Sequence, residues 1–590
     1  MKYKKYFSLL AMLLMIGYAC NKDKLNEPTL GFFVQDTVAN KKGVGELLIG
    51  AYSLLDGESG SNITYGSAAS NWIYGSICGS EAYKGGDGRD VDQPDINSLE
   101  TFDVNPFNSD LAQKWAAVYD GIARSNDVIR TMRKATDMSP ADTIEVTAEA
   151  CFLRGFYHME AKKMWNKIPY IDESITIEAG NYHVKNDTSW LRIENDLVYA
   201  MNNLPIKQTA AGRANRYAAE AFLAKAYMFE SKYHQALLLL QDLISQGVTA
   251  KGEKYALQKH YHDNFDPIAK NSSESVFAAQ MSVNDGANSS GDGSNSNLGD
   301  FLNFPLIISY GFFQPSQYLV NHFKTDPTSG LPDLAHFNDL DVTNDEGYTS
   351  DSTFIPYTGT LDPRLDWTVG RRGIPYLDWG VHPGMAWISN QSYGGPYSPI
   401  KNAVAQNENG VYTESGWGGP ALTANNVNLL RFADILLWDA EAQIEVGSVD
   451  SARYFVNLIR QRITDSSGWV HTYIDPANPT KGFTNTPAAN YHIGLYTIPW
   501  TDPDYARLAV HYERILEFGM EGHRFFDLVR WGIADTEINQ YFLNEKLKRR
   551  YLSDASFKKG RNEYFPIPLV QIELSAGANG QKEMTQNPGY

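Results

Sequence analysis

The sequence predicts a mostly α-helical protein whose helices are interrupted by one long, loop-rich segment. Apolar residues recur at helical spacing over about 35–250 and again over 427–535. Between them, residues 251–426 are rich in Gly, Pro, Asn, Tyr and Trp and show no sustained period. With 590 residues, the chain is long enough to bury a large core. We therefore expect a helical scaffold that carries a large region of loops.

Residues 1–19 have the features of a secretory signal peptide. Lysines near the start precede a short apolar run over 7–16, which is too short to span a bilayer as a permanent helix. The run ends at residues 17–20, Gly-Tyr-Ala-Cys, which resemble the cleavage box of a bacterial lipoprotein. We expect cleavage before Cys20, lipid on that cysteine, and a polar tether over 21–27. Lipid is then the only membrane anchor that the sequence supports.

A first helix is predicted over 43–55, and an irregular segment follows over 57–108. That segment is rich in Gly, Ser, Asn and Asp, and Trp72, Tyr74 and Tyr83 are interspersed in it. Long irregular segments in compact domains commonly carry function. We therefore treat it as a first candidate binding region.

Helical periodicity is clear on both sides of the loop-rich segment. It predicts helices around 115–129, 145–165, 190–201, 216–230, 233–245, 427–446 and 451–463. Ala224, Tyr227, Tyr233 and Ala236 alternate small and large residues, as in tetratricopeptide-type helix pairs, although no strict 34-residue repeat can be aligned. The alanine-rich pair over 216–245 is predicted to pack closely.

The stretch His511–Gly532 combines an apolar stripe with clustered charges. Gly519 and Gly522 interrupt the stripe, so a helix, a tight corner and a second helical piece are expected. Glu513 and Glu517 share one helical face and would repel each other without cations. The nearest cations in sequence are Arg514, Arg524 and Arg530, with Asp527 between the last two. We expect a half-buried ion network that fixes the geometry of this corner.

The composition excludes some functions. A net charge of −18 argues against binding to nucleic acid or, by charge, to anionic lipid. Aromatic residues make up 13% of the chain, which suits either a large helical core or a carbohydrate-binding surface. After Cys20, only Cys78 and Cys151 remain; they could pair, but Cys151 in an apolar helix is better explained as a small buried residue.

The corner stretch resembles the signature of the SusD/RagB family, E-R-x-x-E-x-x-x-E-G-x-R-x-x-D-L-x-R-W-G. Every fixed position is filled, by Glu513, Arg514, Glu517, Glu521, Gly522, Arg524, Asp527, Leu528, Arg530, Trp531 and Gly532. Residues 148–170, 312–323, 361–369, 428–447 and the C-terminal QNPGY are similar to further blocks of the family. The resemblance extends over residues 20–590 and is weakest over 251–427.

The resemblance implies a function. SusD-like proteins, named after a starch-binding member, are lipoproteins on the outer membrane that act as hinged lids on SusC-like TonB-dependent barrels. They capture a nutrient and pass it to that transporter. For this chain the resemblance implies a tetratricopeptide-like helical scaffold, loops that bind an oligosaccharide, and no enzymatic activity or cofactor. RagB-type members are thought to capture peptides, which is the alternative ligand.

Catalytic motifs are absent from the sequence. It contains no G-x-S-x-G, H-E-x-x-H, phosphate-binding glycine loop or C-x-x-C. His260 and His262 could hold a metal, but a lone histidine pair is more often part of a surface loop. Asp292 in a Gly/Ser/Asn-rich loop fits no calcium-binding spacing. An enzyme of glycan breakdown and a structural helical adaptor remain alternatives, because glycosidase carboxylates leave no local signature.

A carbohydrate site requires exposed aromatic planes together with polar groups that bind hydroxyls. The sequence offers two groups of candidates. The first comprises Trp72, Tyr74 and Tyr83; the second lies within 371–397 and comprises Arg372, Trp379, Trp387 and Tyr393. Each ring alone could equally belong to the core, because Trp is mostly buried in proteins. We expect the two groups together to form an exposed site, and no metal site.

Overall fold

The computed structural model describes residues 38–57, 65–89, 91–176, 180, 183–186, 190–286, 311–416, 419–577 and 579–590. Cys20 and Asp292 lie outside these residues. Among the residues described, no helix combines the length and the apolar character that a membrane span requires.

Helices dominate the described chain, as predicted. They are α1 (Lys41–Tyr52), α2 (Pro94–Glu100), α3 (Ser109–Met132), α4 (Pro140–Trp165), α5 (Trp190–Asn203), α6 (Arg216–Phe229), α7 (Tyr233–Gln246), α8 (Gln317–His322), α9 (Leu365–Thr368), α10 (Gln391–Gly394), α11 (Phe432–Val446), α12 (Val449–Ile463), α13 (Pro503–Phe518), α14 (Arg524–Arg530), α15 (Ala534–Glu545) and α16 (Leu569–Leu574). A π-helix covers Trp72–Ile77, and short 3-10 turns include Ser53–Asp56, His262–Phe265 and Met385–Trp387.

The strands are short and pair two by two. They are β1 (Ala82–Gly85), β2 (Ser275–Ala279), β3 (Phe312–Pro315), β4 (Val369–Gly370), β5 (Ser398–Pro399), β6 (Thr413–Gly416), β7 (Gly419–Thr423), β8 (Val427–Arg431), β9 (His471–Tyr473) and β10 (Phe483–Pro487). All pairs are antiparallel: β1 with β3, β2 with β8, β4 with β5, β6 with β7, and β9 with β10. The loop-rich segment therefore has only local strand pairing and is held by side-chain contacts.

The helices form one continuous stack. From α3 to α7, each helix packs against the next, and α11 then packs against α7, so the second helical segment extends the first. Within it, α12 packs on α11, and α13 packs on both. This arrangement confirms the predicted helix-pair scaffold.

Local sequence determines where these helices begin and how closely they pack. The Asn108 side chain accepts a hydrogen bond from Leu111 N at the start of α3, and Ser139 forms a capping box with Asp142 at the start of α4. The alanines of α6 are buried, so neighbouring backbones approach closely. Between the helices, the rings of Phe152, Phe222 and Phe277 meet edge to face with centroids 5.0–5.8 Å apart.

One predicted helix starts later than expected. The prediction of a helix from residue 427 was wrong over its first five residues, because Val427–Arg431 is strand β8. This strand pairs with β2, Ala279 opposite Val427, and Phe432 N donates to Glu274 O at 2.8 Å. A partner strand from a distant part of the chain therefore overrides the local preference for helix.

The corner between α13 and α14 explains the glycine of the signature. Gly522 has φ +78°, and a Cβ there would lie 1.8 Å from Ser70 O. Gly75, in the π-helix, is equally close, because a Cβ there would meet Gly522 O at 1.8 Å. The π-helix thus packs backbone to backbone on the corner, and only glycine fits at these two positions.

An extensive buried ion network surrounds the corner, but its partners differ from those predicted. Glu517 is fully buried and is bound by Arg462 Nη2 at 2.7 Å, Arg431 Nη1 at 2.9 Å and Arg364 Nη1 at 3.2 Å. Glu513 accepts from Arg460 Nη1 at 3.0 Å. The arginines that neutralise the two glutamates therefore come from distant elements, which sequence proximity could not reveal.

The signature arginines serve the other carboxylates of the corner. Asp527 accepts from Arg514 Nε and Arg530 Nε, both at 2.8 Å. Arg524, by contrast, lies 3.3 Å from Glu537 in α15. Burial alone would raise the pKa of Asp527, but Arg514 and Arg530 together hold it well below its usual value.

The cysteines described are both buried and free, so Cys78 and Cys151 do not pair in this structure. Burial raises the pKa of the Cys151 thiol to about 12. Both behave as small buried residues and not as reactive thiols.

Candidate functional site

The first group of predicted ligand-binding residues is buried. The side chains of Trp72, Tyr74 and Tyr83 are at most 1% exposed. Trp72 packs against Phe313 with ring centroids 5.7 Å apart, and Tyr74 donates to Gly66 O at 3.1 Å. The expectation that these three rings are exposed is therefore wrong. Their segment folds into the π-helix and β1, whose large rings fill the space beside the corner.

The second group is divided between surface and interior. Trp379 and Trp387 are half-buried, so part of each residue remains in contact with solvent. Tyr393 is buried and donates to Asn97 Oδ1 at 2.8 Å, and Arg372 is also buried. Of the seven predicted residues, the two tryptophans are therefore the ones that remain partly exposed.

Trp387 is held by rigid packing. It ends the 3-10 turn Met385–Trp387 and meets Tyr376 and His382 edge to face, at centroid distances of 5.8 Å and 5.2 Å. Behind it, a small apolar cluster is formed by Tyr376, Leu377, Ile400 and Ala403. The Tyr376 hydroxyl donates to Pro399 O at 2.6 Å. The indole therefore has a fixed orientation in the absence of ligand.

A loop that the sequence reasoning missed adjoins this turn. Ala386 N donates to Ser350 Oγ at 2.9 Å, which joins the loop over 345–355 to the turn that carries Trp387. Tyr348 in this loop is 51% exposed, and its ring lies 6.3 Å from that of Phe354. We call the aromatic residues of these two joined segments, Tyr348, Phe354 and Trp387, the aromatic face. Two aromatic residues in a polar loop, Tyr348 and Phe354, were the sequence signal that could have indicated this face.

The buried side chain of Arg372 holds the loop over 345–355 in place. Its guanidinium lies 5.2 Å from the centre of the Phe354 ring, and Nη2 donates to Ser350 O at 2.9 Å and to Ser352 O at 2.6 Å. Its Nη1 lies 3.7 Å from Asp345 Oδ2. Within the described residues, neither of those two atoms has a hydrogen-bond partner. Both atoms are buried, so the pair holds the loop in place and is not open to a ligand.

The backbone next to this pair requires a glycine. Gly384 has φ +80°, and a Cβ there would lie 2.0 Å from Asp345 Oδ2. Burial raises the pKa of Asp345, whereas Arg372 opposes that rise. The carboxylate is thus held in a tight, partly desolvated position between the two loops.

Trp379 lies in a turn that contacts the β9–β10 hairpin, which carries an exposed ring of its own. Its indole donates to Val404 O at 2.8 Å, so its orientation is also fixed. The adjacent turn is bound by the β9–β10 hairpin, because the Tyr473 hydroxyl donates to Leu377 O at 2.7 Å. Phe483 of that hairpin is 42% exposed and stacks on Tyr473 with centroids 5.1 Å apart.

The two sequence segments meet, through hydrogen bonds at the surface and a buried contact beneath them. Ser389 Oγ donates to Asp87 Oδ1 at 2.8 Å, and Asn390 Nδ2 donates to Asp87 O at 3.0 Å. Beneath them, Lys84 Nζ lies 5.6 Å from the centre of the Tyr393 ring. The irregular N-terminal segment therefore supports the loop region rather than lining the candidate site.

Other polar clusters are poorer candidates. A cavity of about 40 Å³ lies beside Lys401, Asn425 and Glu521, and Lys401 Nζ is 2.7 Å from Glu521 Oε1. It has room for a few waters but not for a sugar ring. His262 stacks on Trp367 at 4.2 Å, and the described residues include no group of three side chains placed to hold a metal.

Family comparisons agree with the fold and the signature. The profile of the SusD family matches residues 273–590, which is more than half of the chain. A second profile, described as starch-binding associating with outer membrane, matches residues 90–228. The chain is 22% identical to SusD-like protein P25 of Formosa agariphila over 588 residues, 95% of either chain. It is 23% identical to a SusD-like protein of Bacteroides ovatus, over 78% of this chain and 72% of that protein.

Solved structures share the fold. One is a laminarin binding SusD-like protein, with a TM-score of 0.63 and 21% identity over 93% of this chain and all of that chain. Another is surface glycan-binding protein A from Bacteroides thetaiotaomicron in complex with laminarihexaose, with a TM-score of 0.62 and 20% identity over 93% of this chain and 99% of that one. On its signature, its helical stack and these matches, the chain belongs to the SusD family.

Proposed function

We propose that this protein captures oligosaccharides at the cell surface and delivers them to a SusC-like TonB-dependent barrel in the outer membrane. The observation that carries the proposal is the aromatic face, which a SusD-family chain presents on its loop-rich segment. The matched family description, starch-binding associating with outer membrane, supports both the ligand class and the location. Of two proteins with the same fold, one is described as laminarin binding and the other was solved in complex with laminarihexaose.

The chemistry of the face suits a sugar chain. Sugars have flat C–H surfaces that stack on aromatic rings, and burying ~100 Å² of such a surface contributes ~2.5 kcal/mol before the costs of binding. Trp387, which is half-buried, and Tyr348, which is 51% exposed, supply the rings. Because one ring contributes so little, several rings along the sugar chain are needed, and micromolar or weaker affinity is expected.

Lipid is the proposed anchor. The box that ends at Cys20 motivates this part of the proposal. Cys20→Ser should release the protein from membrane fractions of cells that lack the partner barrel. Continued membrane attachment of that variant in the same cells would contradict the anchor.

Binding without catalysis is the proposed activity. The family and its named relatives are binding proteins, and the buried carboxylates of the corner are neutralised by arginines, which leaves them no role as acids or bases. Incubation of the purified protein with a glycan should therefore yield no shorter products. If shorter products appear, and if mutation of this chain abolishes their formation, the protein is an enzyme instead.

A ligand screen tests the proposal. Soluble protein from residue 21 onward should be titrated with laminarihexaose, with plant, fungal, host and bacterial glycans, and with peptides. A glycan hit that Trp387→Ala abolishes supports the proposal; Tyr454→Ala, which removes an exposed ring from α12, is the matched control. Binding of peptides alone would favour the RagB-type alternative. If neither the free protein nor its complex with the barrel binds any of these ligands, the proposal is overturned.

A further inference from the structure

We propose that the ligand is an uncharged oligosaccharide, and that carboxylated or sulfated glycans are excluded by the charge around the aromatic face. This inference rests on the proposed function, because it names the class of glycan that the same site accepts. It is carried by the contrast between buried cations and exposed carboxylates in the segment that forms the site.

The segment over 331–416 contains only four cationic side chains besides histidine. They are Arg364, Arg371, Arg372 and Lys401, and each is at most 7% exposed. Each also lies close to a buried carboxylate. The nearest such oxygens belong to Asp362 at 2.8 Å, Asp366 at 2.6 Å, Asp345 at 3.7 Å and Glu521 at 2.7 Å, respectively. None of the four presents a free positive charge to solvent.

Carboxylates, by contrast, reach the surface of the same segment. It contains eleven of them, and Asp339, Asp341 and Asp351 are exposed. Asp339 lies 2.9 Å from His336 Nδ1, Asp341 has Lys548, from outside the segment, at 3.4 Å, and Glu346 is bound by Arg549 at 2.6 Å. Of the three exposed carboxylates, Asp351 therefore has no basic side chain within 4 Å among the described residues.

Asp351 lies closest in sequence to the site. It follows Ser350, whose hydroxyl accepts from Ala386 N next to Trp387. The Asp351 carboxylate accepts from the Thr349 hydroxyl, and no cation lies within 4 Å of it among the described residues. The Thr349 hydrogen bond lowers the pKa of Asp351 most, and the buried charge of Arg372 adds a smaller effect, so the carboxylate is ionised at neutral pH. An anionic sugar bound beside this loop would be repelled by this charge, which acts over a Debye length of about 8 Å in physiological salt.

The neighbouring elements do not reverse the sign. The loop beside Asn390 carries one charge of either sign, Asp87 and Arg89. Lys324 lies near Asp333, Asp339 and Asp341, and Lys481 near the hairpin is bound to Asp475 at 2.8 Å. Arg372 is buried, and Asp345 balances its charge. Proteins that select carboxylate or sulfate groups commonly offer an exposed, bidentate arginine, and this surface has none within the segment.

A matched pair of ligands tests the inference. Laminarihexaose, or whichever neutral oligosaccharide binds in the screen, should be compared by calorimetry with the same chain oxidised to the carboxylate at C6. The oxidised form is expected to bind at least tenfold more weakly in 20 mM NaCl. Because the loss is electrostatic, it should shrink severalfold in 500 mM NaCl. Binding of the neutral form should change little with salt.

Charge-neutralising variants separate repulsion from a steric loss. The variant Asp351→Asn should recover part of the affinity for the oxidised form, whereas Asp504→Asn, which removes an exposed carboxylate on α13, should not. A loss that neither salt nor Asp351→Asn relieves, or equal binding of both forms, would overturn the inference. So would tight binding of an anionic glycan only, which leaves the proposed function intact. Failure to bind any glycan overturns the proposed function itself.

Discussion

The guanidinium of Arg372 lies 5.2 Å from the centre of the Phe354 ring and joins two loops that are distant in sequence. The same group donates to two carbonyl groups of the loop over 345–355, at Ser350 and Ser352. Through this side chain, the loop that carries Tyr348 is fixed to the segment that carries Trp387. The aromatic face thus depends on a residue that is itself buried.

Arg372→Lys should weaken ligand binding by about tenfold or more. Lysine keeps the charge but cannot donate to both carbonyl groups while stacking on Phe354, and a hydrogen bond from a charged group contributes about 1.5–3 kcal/mol. Calorimetric titration gives the affinity, and a thermal melt reports the fold. Arg453→Lys on α12 is the control, since Arg453 also donates to a carbonyl group, Tyr496 O, at 2.9 Å. Equal losses in both variants would refute a specific role for Arg372.

Glu517→Gln should destabilise the protein by about 3–5 kcal/mol, because three buried arginines lose their shared carboxylate. Burial would raise the pKa of Glu517, yet Arg462, Arg431 and Arg364 hold it below its usual value, so the charge is present at neutral pH. Denaturant unfolding measures the change. In contrast, Glu445→Gln breaks a partly exposed pair with Arg507 and should cost less than about 1 kcal/mol. Similar costs for the two variants would show that the network contributes little.

Asp110→Asn should stabilise the protein at pH 8 by about 1–4 kcal/mol and much less at pH 5. Burial, with a smaller effect from Asp95, raises the pKa of Asp110 to about 7. The stability linked to its protonated form is complete below the unfolded-state pKa and is lost as the pH rises towards 7. Melting temperatures from pH 5 to pH 8 test this, with exposed Asp504→Asn as the control. Parallel pH profiles for wild type and Asp110→Asn would contradict it.

Gly522→Ala should cost more than Gly532→Ala, although both glycines belong to the signature and have positive φ. At Gly532, with φ +72°, a Cβ meets open space, so only left-handed strain of about 1 kcal/mol is added. At Gly522 the Cβ also collides with Ser70 O, so a loss of about 3 kcal/mol or more is expected. Unfolding free energies decide the comparison, and equal costs would mean that the backbone at Ser70 moves away from the corner easily.

The fold was largely predictable from the sequence, because the apolar residues of amphipathic helices recur at helical spacing whatever their tertiary contacts. The helices from α3 to α7 lie where apolar stripes place them, and the signature identified the corner. By contrast, β8 could not be predicted, because its partner Ser275–Ala279 lies far away in sequence. The partners of Glu517 were missed for the same reason.

The site was predictable only in part. Trp387 was identified from a Trp- and Tyr-rich loop, but composition does not distinguish a ring that packs in the core, such as Trp72, from one that faces solvent. Tyr348 was overlooked because the two rings of its polar loop, Tyr348 and Phe354, show no periodic pattern and are the only signal there. Only tertiary contacts such as Ser350 with Ala386 bring these rings into adjoining loops.

The most direct test is a calorimetric titration of the soluble protein and of Trp387→Ala with the neutral oligosaccharide that the screen identifies. Wild type should bind with micromolar affinity. Trp387→Ala should keep its melting temperature within a few degrees and lose at least tenfold in affinity, while Tyr454→Ala should bind as wild type does. Undiminished binding by Trp387→Ala would contradict the assignment of the site to the aromatic face.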